Sequence, residues 1–557
     1  MQSASEVASL SNSQMDWLLI AAAAAKLTFY VAVLSIAGLS AAPCPNKSSS
    51  AFLVRVFLGT GLLSWLGLIL AYFAPASRFV PLIVLALWPA FVWVRRGSDG
   101  VRDQLRPMAE VLVVQLLACL LVLGAGFLYG GLAEPLSAAA HRWFHWTADN
   151  SIPLTVFNRL TAHDWSLMPG QWQISDRPPL QTAFFSLLAP LGQRELDYQL
   201  VGIVCQSFAL TGVHLLLRAL AIGNRLALAV IALLAPTGFV LMNAFFVWPK
   251  LLSAGYLCAA AGVLFGSRQR SSGLIAGALA GLGLLAHGGA FFAVSALLLV
   301  ALFSTARARL PLMLAAVVVT VAPWMAFTQF VDPPGNRLAK WHLAGVTRPD
   351  PRGVVEAIID SYKSRNLQQI VEDKLENARA QVGPNWFLRH AGRLGDKSWW
   401  DIQFGILGFA AFPAWMGIIM APLYRGSRKM LTPALRLHAL WLTALTLSCL
   451  LMFGPALDAE PTVAHARPFL PQQSYFIPLV ALASTTLAGL SLPGLLRFLF
   501  IGALLLVGTM SYFYPPVGVT ANLFTTAPSA PALALSLLAL TALAWFFTRP
   551  LEEPDGA

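Results

Sequence analysis

Long apolar runs recur along this chain from Trp17 to Thr548, and they restrict its fold more than any other feature. A helix needs roughly 20 consecutive, mostly apolar residues to cross the hydrocarbon core of a bilayer. The composition agrees, because 57% of the 557 residues are hydrophobic and only 11% are charged. Soluble domains carry about 25% charged residues. The sequence therefore predicts an all-α polytopic membrane protein.

The apolar runs divide into about 15 predicted transmembrane helices, with interfacial helices between some of them. Each predicted span ends at a polar, basic or Gly/Pro-containing segment. The predicted spans are 17–40, 51–73, 79–95, 109–131, 197–220, 224–243, 249–266, 273–286, 289–304, 310–328, 402–422, 432–454, 473–491, 495–513 and 528–547.

Arginine and lysine in the short loops set the predicted orientation, because cytoplasmic loops are enriched in these residues. The long polar segments 132–177 and 329–401 then fall on the outer side. The basic residues of these cytoplasmic loops also explain the net charge of +12, so this charge does not indicate binding to nucleic acid. The basic residues of the short loops are Arg95, Arg96, Arg102, Arg106, Arg268, Arg270, Arg307, Arg309, Arg425, Arg428 and Lys429.

Two apolar stretches break the simple alternation of spans. Pro178–Leu191 is short for a crossing, and a crossing here would put the later basic loops on the wrong side. We therefore expect it to lie at the outer interface. Residues 273–304 are too long for one span and have basic loops at both ends. We predict two spans broken at His287-Gly288-Gly289, which brings this break to the outer face.

The second outer segment has a different pattern. Between Val354 and Ala380, apolar residues recur at helical spacing among charged residues. This pattern predicts one or two amphipathic helices that lie against the membrane surface or cap the first outer loop. A solvated loop that decorates the surface is the alternative.

The first outer loop carries aspartates close to the predicted end of a span. Asp149 follows an apolar, aromatic approach, and Asp164 and Asp176 come later in the same loop. Aromatic residues suit a membrane interface. Acidic groups near the bilayer edge are costly, and they tend to be functional or paired. The sequence therefore predicts a site in this loop. The aromatic residues are Trp143, Phe144, Trp146, Trp165 and Trp172.

The loop contains three motifs in a fixed order: Asp149-Asn150, then His163-Asp164-Trp165, then Arg177-Pro178-Pro179-Leu180. This order resembles the GT-C superfamily of glycosyltransferases, and especially the protein O-mannosyltransferases and lipid A aminoarabinose transferases. Their loop opens with Asp or Asp-Glu and closes on Lys/His-Pro-Pro-Leu, so arginine at position 177 departs from the pattern.

Two later segments resemble the same family. Gly281–Gly288 resembles a Leu-Thr-Lys-Gly-Pro stretch, with His287 where lysine is usual. His465-Ala-Arg467-Pro resembles the Arg-Tyr-Leu-Leu-Pro that opens a late span. By pattern the resemblance covers roughly 109–490, and the spans before residue 95 have no counterpart in the family core.

The resemblance implies a GT-C-like architecture and transfer of a monosaccharide from a polyprenyl-phosphate-linked donor, with inversion, to an acceptor on the periplasmic face. A carboxylate must accept the acceptor's proton, and Asp149 is our candidate general base. Cations on the outer side should stabilise the phosphate that leaves. The candidate substrate-binding residues are Asn150, Asp164, Asp176, Arg177, Lys250, His287, His465 and Arg467.

Four regions follow. Residues 1–108 hold three extra N-terminal transmembrane helices, and 109–328 hold the GT-C-like catalytic core with a first periplasmic loop, 132–196. Residues 329–401 form the second periplasmic loop and 402–557 the C-terminal transmembrane helices. The expected location is the bacterial inner membrane.

The expected partners are the polyprenyl-phosphate sugar, a glycan, lipid or protein acceptor, and membrane lipids, with no nucleic acid. No cofactor is indicated, although Asp149 and Asp164 leave a divalent metal possible. Two alternatives stay open. One is a transporter or flippase of lipid-linked saccharides, and the other is a polymerase or ligase that uses a diphosphate-linked oligosaccharide.

Overall fold

The computed structural model describes residues 2–40, 49–74, 77, 79–143, 149–192, 194–346, 348–382, 428–453, 474–492, 494–513 and 523–548. Every regular element within these ranges is a helix, apart from one isolated bridge between Met168 and Trp172. Seven helical segments in these ranges are long and apolar enough to cross a membrane. The all-α membrane architecture is therefore confirmed, whereas about 15 spans stays a prediction. The span predicted over 402–422 lies outside the described residues.

The helices are rich in leucine and alanine, which have high helix propensity. Apolar helices also pair all their backbone groups internally, as a lipid environment requires. In chain order they are α1 (Gln2–Ile36), α2 (Ser49–Phe73), α3 (Val80–Leu105), α4 (Ala109–Gly126), α5 (Pro135–His141), α6 (Ile152–Ala162), α7 (Leu180–Leu188), α8 (Glu195–Ala219), α9 (Asn224–Leu234), α10 (Gly238–Phe245), α11 (Lys250–Gly266), α12 (Ser272–Ala286), α13 (Ala290–Leu302), α14 (Leu310–Phe330), α15 (Arg337–Ala344), α16 (Val354–Lys363), α17 (Leu367–Val382), α18 (Arg428–Leu451), α19 (Phe476–Leu490), α20 (Gly494–Phe513) and α21 (Ala530–Thr548).

The helices connect two faces of the molecule. α14 begins directly after Arg309, whose guanidinium donates to Leu264 O near the end of α11. The other end of α14 leads to Asp332, which contacts Ser175 of the first outer loop. We call the side with residues 132–143, 149–192, 331–346 and 348–353 the site face, and the side with Arg309 the basic face. The first loop and this basic loop therefore lie at opposite ends of α14, as the predicted orientation requires.

The N-terminal helices pack onto the rest of the bundle. Lys26 of α1 forms a salt bridge with Asp197 at the start of α8, with an N–O distance of 2.7 Å. The hydroxyl of Tyr256 in α11 donates to Phe57 O of α2 at 3.0 Å. Tyr72, near the end of α2, contacts His163 of the first outer loop, with the ring centres 5.2 Å apart. α1 and α2 thus contribute to the same core as α8 and α11.

The span predicted over 224–243 is broken into α9 and α10, which meet at an angle of 66°. Pro236 and Gly238 fall at this break, and proline cannot donate the backbone hydrogen bond that a continuous helix needs. Thr237 caps α10 by accepting from Val240 N at 3.4 Å. The apolar pattern of this stretch did not reveal the break.

Two predictions about irregular apolar stretches have different outcomes. Residues 273–304 do form two helices, α12 and α13, with the break at 287–289. α7 is too short to cross a membrane, as expected for 178–191. However, Leu180–Leu188 is buried throughout and packs against α2, α6 and α8. It therefore lies inside the protein rather than against lipid headgroups.

The amphipathic helices predicted in the second outer segment are α16 and α17. One face of each presents large apolar side chains to the surroundings, such as Val355 at 70% and Leu367 at 76% exposure. Ala357 on α16 is fully buried against the protein. This arrangement suits helices that lie along a membrane surface. The segment thus contains two helices with exposed apolar side chains, and their position at a membrane surface stays a prediction.

Candidate functional site

Asp149 begins a short 3-10 helix, Asp149–Ser151, that leads directly into α6. The next residue, Asn150, is buried and anchors this turn. Its side-chain amide donates to Leu136 O at 2.8 Å, and its carbonyl oxygen accepts from the Tyr198 hydroxyl at 2.7 Å. These two bonds fix the backbone that carries Asp149. They favour a structural role for Asn150 rather than the substrate contact that the motif implied.

Arg177 lies between the first outer loop and α7. The proline that follows restricts it to extended backbone, and its φ and ψ are −119° and 116°. This conformation turns the side chain inward, so that it is only 8% exposed. The guanidinium carbon lies 4.0 Å from the Trp172 ring centre and 5.5 Å from that of Trp248. Within the described residues, Arg177 Nε has no hydrogen-bond partner.

Lys250 is the first residue of α11, immediately after the Trp248-Pro249 step. Its ammonium nitrogen lies 5.1 Å from the ring centre of Tyr475, a cation–π distance. The Tyr475 hydroxyl is held in turn by Asn243 Oδ1 at 2.7 Å. The charges of Asp149 and Arg177 both act on Lys250. The start of α11 thus brings a second cation to the loop that carries Asp149.

Asp149, Arg177 and Lys250 lie close enough for their charges to interact. Burial lowers the pKa of Arg177, and the negative charges of Asp149 and Asp176 partly oppose that shift. Asp149 therefore acts on both Arg177 and Lys250, although these residues lie on separate segments of the chain. The structure brings together three of the residues singled out by sequence.

His342 of α15 joins the same environment, and sequence reasoning missed it. Its side chain is 8% exposed, and its Nδ1 has no hydrogen-bond partner among the residues described. Burial, together with the positive charges of Lys250 and Arg177, lowers the pKa of His342 to about 3. The imidazole is therefore neutral near pH 7. Its only signal in the sequence is a Trp-His pair in the second outer loop, with no spacing to any motif. We call Asp149, Arg177, Lys250 and His342 the site cluster.

His287 lies next to the site cluster, at the break between α12 and α13. It is 5% exposed, and its Nδ1 accepts from Gly289 N at 3.0 Å. Its ring centre is 6.1 Å from that of Trp248. His287, Arg177 and Trp248 line one small cleft together with Pro178, Pro249 and Leu338. The helix break thus places His287 beside Arg177.

Asp176 is occupied by a contact between the two outer loops. Its Oδ1 accepts from Arg337 N at 2.8 Å, and its Oδ2 accepts from Gln173 N at 3.0 Å. Asp332 makes the reciprocal contact from the second outer loop, because its Oδ2 accepts from Ser175 N of the first loop at 2.8 Å. Burial raises the pKa of Asp176, while these backbone bonds oppose the rise. We call Gln173, Ser175, Asp176, Asp332 and Arg337 the loop clasp, and its geometry favours a structural role for Asp176.

A pocket of about 370 Å³ lies beside the loop clasp on the site face. Asp176 and Arg337 line it, and Lys340 and Asp350 add two further charges of opposite sign. Asp350 is also paired with Arg352, at an N–O distance of 2.5 Å. Charged side chains from both outer loops line the pocket, although apolar groups form most of its surface.

Of the remaining predicted residues, Asp164 does not join the site cluster. Asp164 lies in an exposed turn after α6, where its Oδ1 accepts from Ser166 N at 3.0 Å. This backbone bond lowers the pKa of Asp164. His465 and Arg467 lie outside the described residues. In the described part of the chain, no group of three or more His, Cys, Asp or Glu residues could hold a metal ion.

The site cluster carries a net positive charge, because two cations stand against one carboxylate and His342 is neutral. Arginine binds phosphate well, since its planar fork donates parallel hydrogen bonds. Asp149 adds a base within the same environment. The arrangement can therefore bind an anion and accept a proton beside it.

Comparison with known proteins adds no relative. No protein-family model matches this chain, and neither a curated protein nor a solved structure matches it.

Proposed function

We propose that this protein is a membrane glycosyltransferase that moves a monosaccharide from a polyprenyl-phosphate-linked donor to an acceptor on the periplasmic face. Arg177 and Lys250 bind the donor phosphate, and Asp149 is the general base. The proposal includes a GT-C-like architecture with about 15 spans and a location in the bacterial inner membrane.

The observation that carries the proposal is the state of Arg177. It is 8% exposed, and its Nε has no partner among the described residues. A buried polar group without a hydrogen bond costs free energy, and the nearby charge of Lys250 adds repulsion. A bound phosphate removes both costs, because it accepts from Arg177 and neutralises the two cations. This need for an anion favours a phosphate-linked substrate.

The proposed reaction is a direct displacement at the anomeric carbon. The acceptor hydroxyl attacks that carbon and forms the new C–O bond, while the bond between the sugar and the phosphate oxygen breaks. The acceptor proton passes to the Asp149 carboxylate. The polyprenyl phosphate leaves with the bonding electron pair, and Arg177 and Lys250 stabilise the charge that develops on it. Inversion follows, because the acceptor oxygen attacks the face of the anomeric carbon opposite the phosphate that leaves.

Two openings adjoin the proposed site residues. The cleft beside His287 adjoins Arg177 and is lined by apolar residues such as Ile152 and Val156, but its volume of about 10 Å³ is room for one water, so donor binding requires this cleft to widen. The pocket beside the loop clasp has charged residues in its lining and is a candidate entry for a hydroxyl-bearing acceptor, since Asp176 lines it and is adjacent in sequence to Arg177. The resemblance of the three loop motifs to the GT-C superfamily supports the same assignment.

A transfer assay tests the proposal. The full chain is reconstituted in liposomes with a panel of polyprenyl-phosphate hexoses and pentoses and with glycan, lipid and protein acceptors. We expect a new glycosidic product and release of polyprenyl phosphate, both measured by mass spectrometry. Asp149→Asn should lower the turnover by about 10²- to 10⁴-fold, the usual contribution of a general base. Asp360→Asn is the control, because Asp360 is half exposed and pairs with Arg352.

Three outcomes contradict the proposal or part of it. Equal turnover in Asp149→Asn removes Asp149 as the base. Movement of the intact lipid-linked sugar across the bilayer, with no new glycosidic bond, indicates a flippase. Transfer of an oligosaccharide from a diphosphate-linked donor alone indicates a polymerase or ligase.

A further inference from the structure

A groove of about 790 Å³ lies along α3, remote from the site cluster. α3 is bent, and the groove follows the bend from the apolar half of the helix to its basic half. The second half of α3 is near the basic face, since Gln104 pairs with the backbone of Ser40 beyond the end of α1. α2 then runs from this side to Tyr72, which contacts the first outer loop. The groove therefore reaches the face opposite the site.

The bend in α3 occurs at Gly97. This residue has a φ of 67° and a ψ of 175°, which lie outside the helical region. A Cβ at this position would meet nothing within 4 Å, so space does not explain the glycine. Its backbone conformation does, because residues with a side chain adopt positive φ only with strain. Gly97 thus divides α3 into two arms.

The two arms differ in chemistry. The first arm lines the groove with Ala86, Pro89, Ala90 and Trp93, and Trp93 is 63% exposed. The second arm and the segment that follows it contribute Ser98, Val101, Arg102, Leu105, Arg106 and Ala109. Arg102 and Arg106 are the charged residues of the lining, so one end of the groove is apolar and the other is cationic.

The two arginines have no protein partner in the described part of the chain. Both are exposed, and neither forms a hydrogen bond or ion pair through its guanidinium with a described residue. The acidic residues Asp99 and Asp103 lie on the same arm, but neither lines the groove. The cationic end is therefore open to an anionic ligand.

We propose that this groove is a binding site for one anionic phospholipid. Its phosphate group contacts Arg102 and Arg106, and one acyl chain lies along Ala86, Ala90 and Trp93. Basic pockets beside transmembrane helices on the cytoplasmic side bind anionic headgroups, and tryptophan suits the interface between headgroup and acyl chain. The apolar arm alone would accept any lipid, so selectivity for negative charge comes from the arginines. This site does not depend on the proposed function.

Native mass spectrometry of the full chain in detergent tests the site. Phosphatidylglycerol and phosphatidylcholine with identical acyl chains are titrated separately, which isolates the effect of headgroup charge. We expect tighter binding of phosphatidylglycerol. The double variant Arg102→Gln/Arg106→Gln should reduce the affinity for phosphatidylglycerol by roughly 30-fold. This factor follows because each arginine near a lipid surface contributes about 1 kcal/mol and about 1.4 kcal/mol corresponds to a factor of ten. Ala90→Phe fills the apolar arm at an exposed position, so it should weaken binding while the protein still folds.

The matched control is Arg268→Gln/Arg270→Gln, which removes the same charge from exposed positions in another predicted cytoplasmic loop. It should leave the affinity for phosphatidylglycerol unchanged. Equal affinity of the native chain for the two lipids overturns the proposal, because the groove would then be a general lipid contact. Equal loss in the two double variants also overturns it, since net charge alone would explain the binding. Tighter binding of polyprenyl phosphate than of phosphatidylglycerol assigns the groove to a different lipid and contradicts the proposal.

Discussion

The site cluster and the loop clasp are neighbours on the site face, and both contain buried charged groups. They differ in whether these groups have hydrogen-bond partners. In the clasp, both oxygens of Asp176 accept backbone hydrogen bonds, from Arg337 and from Gln173. In the cluster, Arg177 Nε and His342 Nδ1 have no partner among the described residues. The two regions are adjacent in sequence, since Asp176 belongs to one and Arg177 to the other.

This difference distinguishes charged groups that stabilise the fold from charged groups that bind a ligand. Satisfied buried groups stabilise a fold, whereas buried donors without acceptors destabilise it unless a ligand binds. The clasp should therefore contribute to stability and only indirectly to activity. The site cluster should contribute to activity and subtract from the stability of the unliganded protein. Substitutions in the two regions should have opposite effects on the two measurements.

The largest expected effect is that of Arg177→Gln on activity. Loss of a group that stabilises charge in the transition state typically lowers turnover by about 10²- to 10³-fold. The melting temperature should stay the same or rise, because the substitution removes a buried cation whose Nε has no hydrogen-bond partner among the described residues. Donor turnover in liposomes and thermal unfolding of the purified chain measure the two effects.

Arg348→Gln is the control for charge, since Arg348 is an exposed arginine of the second outer loop. It should leave both measurements unchanged. A large fall in the melting temperature of Arg177→Gln would contradict the comparison, because Arg177 would then be structural like the clasp.

The opposite result is expected for Asp332→Ala in the loop clasp. The Asp332 carboxylate accepts from Ser175 N at 2.8 Å and from Gln173 Nε2 at 3.3 Å. Hydrogen bonds to a charged group contribute about 1.5–3 kcal/mol each, so the substitution should cost about 3 kcal/mol of stability. Thermal unfolding and proteolysis of the outer loops measure this loss, with Asp360→Ala as the exposed control. An unchanged melting temperature would remove the clasp as a source of stability.

The sequence predicted the class of the fold because apolar length is a direct consequence of bilayer thickness. It also predicted the break at His287, since basic loops at both ends of 273–304 required two crossings. It did not predict the break at Pro236 or the burial of α7. Whether a short apolar helix meets lipid or protein depends on what the rest of the chain places around it, and no local pattern contains that information.

The residues of the site were also predicted only in part, because local motifs do not show which residues the fold brings together. The loop motifs and the Trp248-Pro249 step identified Asp149, Arg177 and Lys250, which the structure brings into one electrostatic environment. Asp176 was a candidate substrate-binding residue by sequence, but its hydrogen bonds to Arg337 N and Gln173 N favour a structural role. His342 could not be found, because only the packing of α15 against the first loop brings it near Arg177.

The smallest expected effect is a pH dependence of stability that arises from His342. Its pKa falls from an ordinary value of 6.5 to about 3 on burial beside Lys250 and Arg177. The unfolded chain therefore takes up a proton as the pH falls through about 6.5, while the folded protein stays neutral there until about 3. The stability linked to this group is fully present above pH 6.5 and is lost as the pH falls. The loss should be about 2 kcal/mol at pH 5 and close to zero at pH 7.5.

His342→Gln tests this directly, because glutamine stays polar and does not titrate. Thermal unfolding at pH 7.5 and pH 5 should show a smaller fall for the variant than for the native chain. His163→Asn is the control, since His163 is exposed and has a φ of 52°, which asparagine tolerates. Parallel falls in the native chain and His342→Gln would mean that His342 is not held neutral by the two cations. Arg177→Gln should also reduce the fall, because it removes one of the charges that oppose protonation of His342. This coupling would tie His342 to the cluster rather than to the loop clasp.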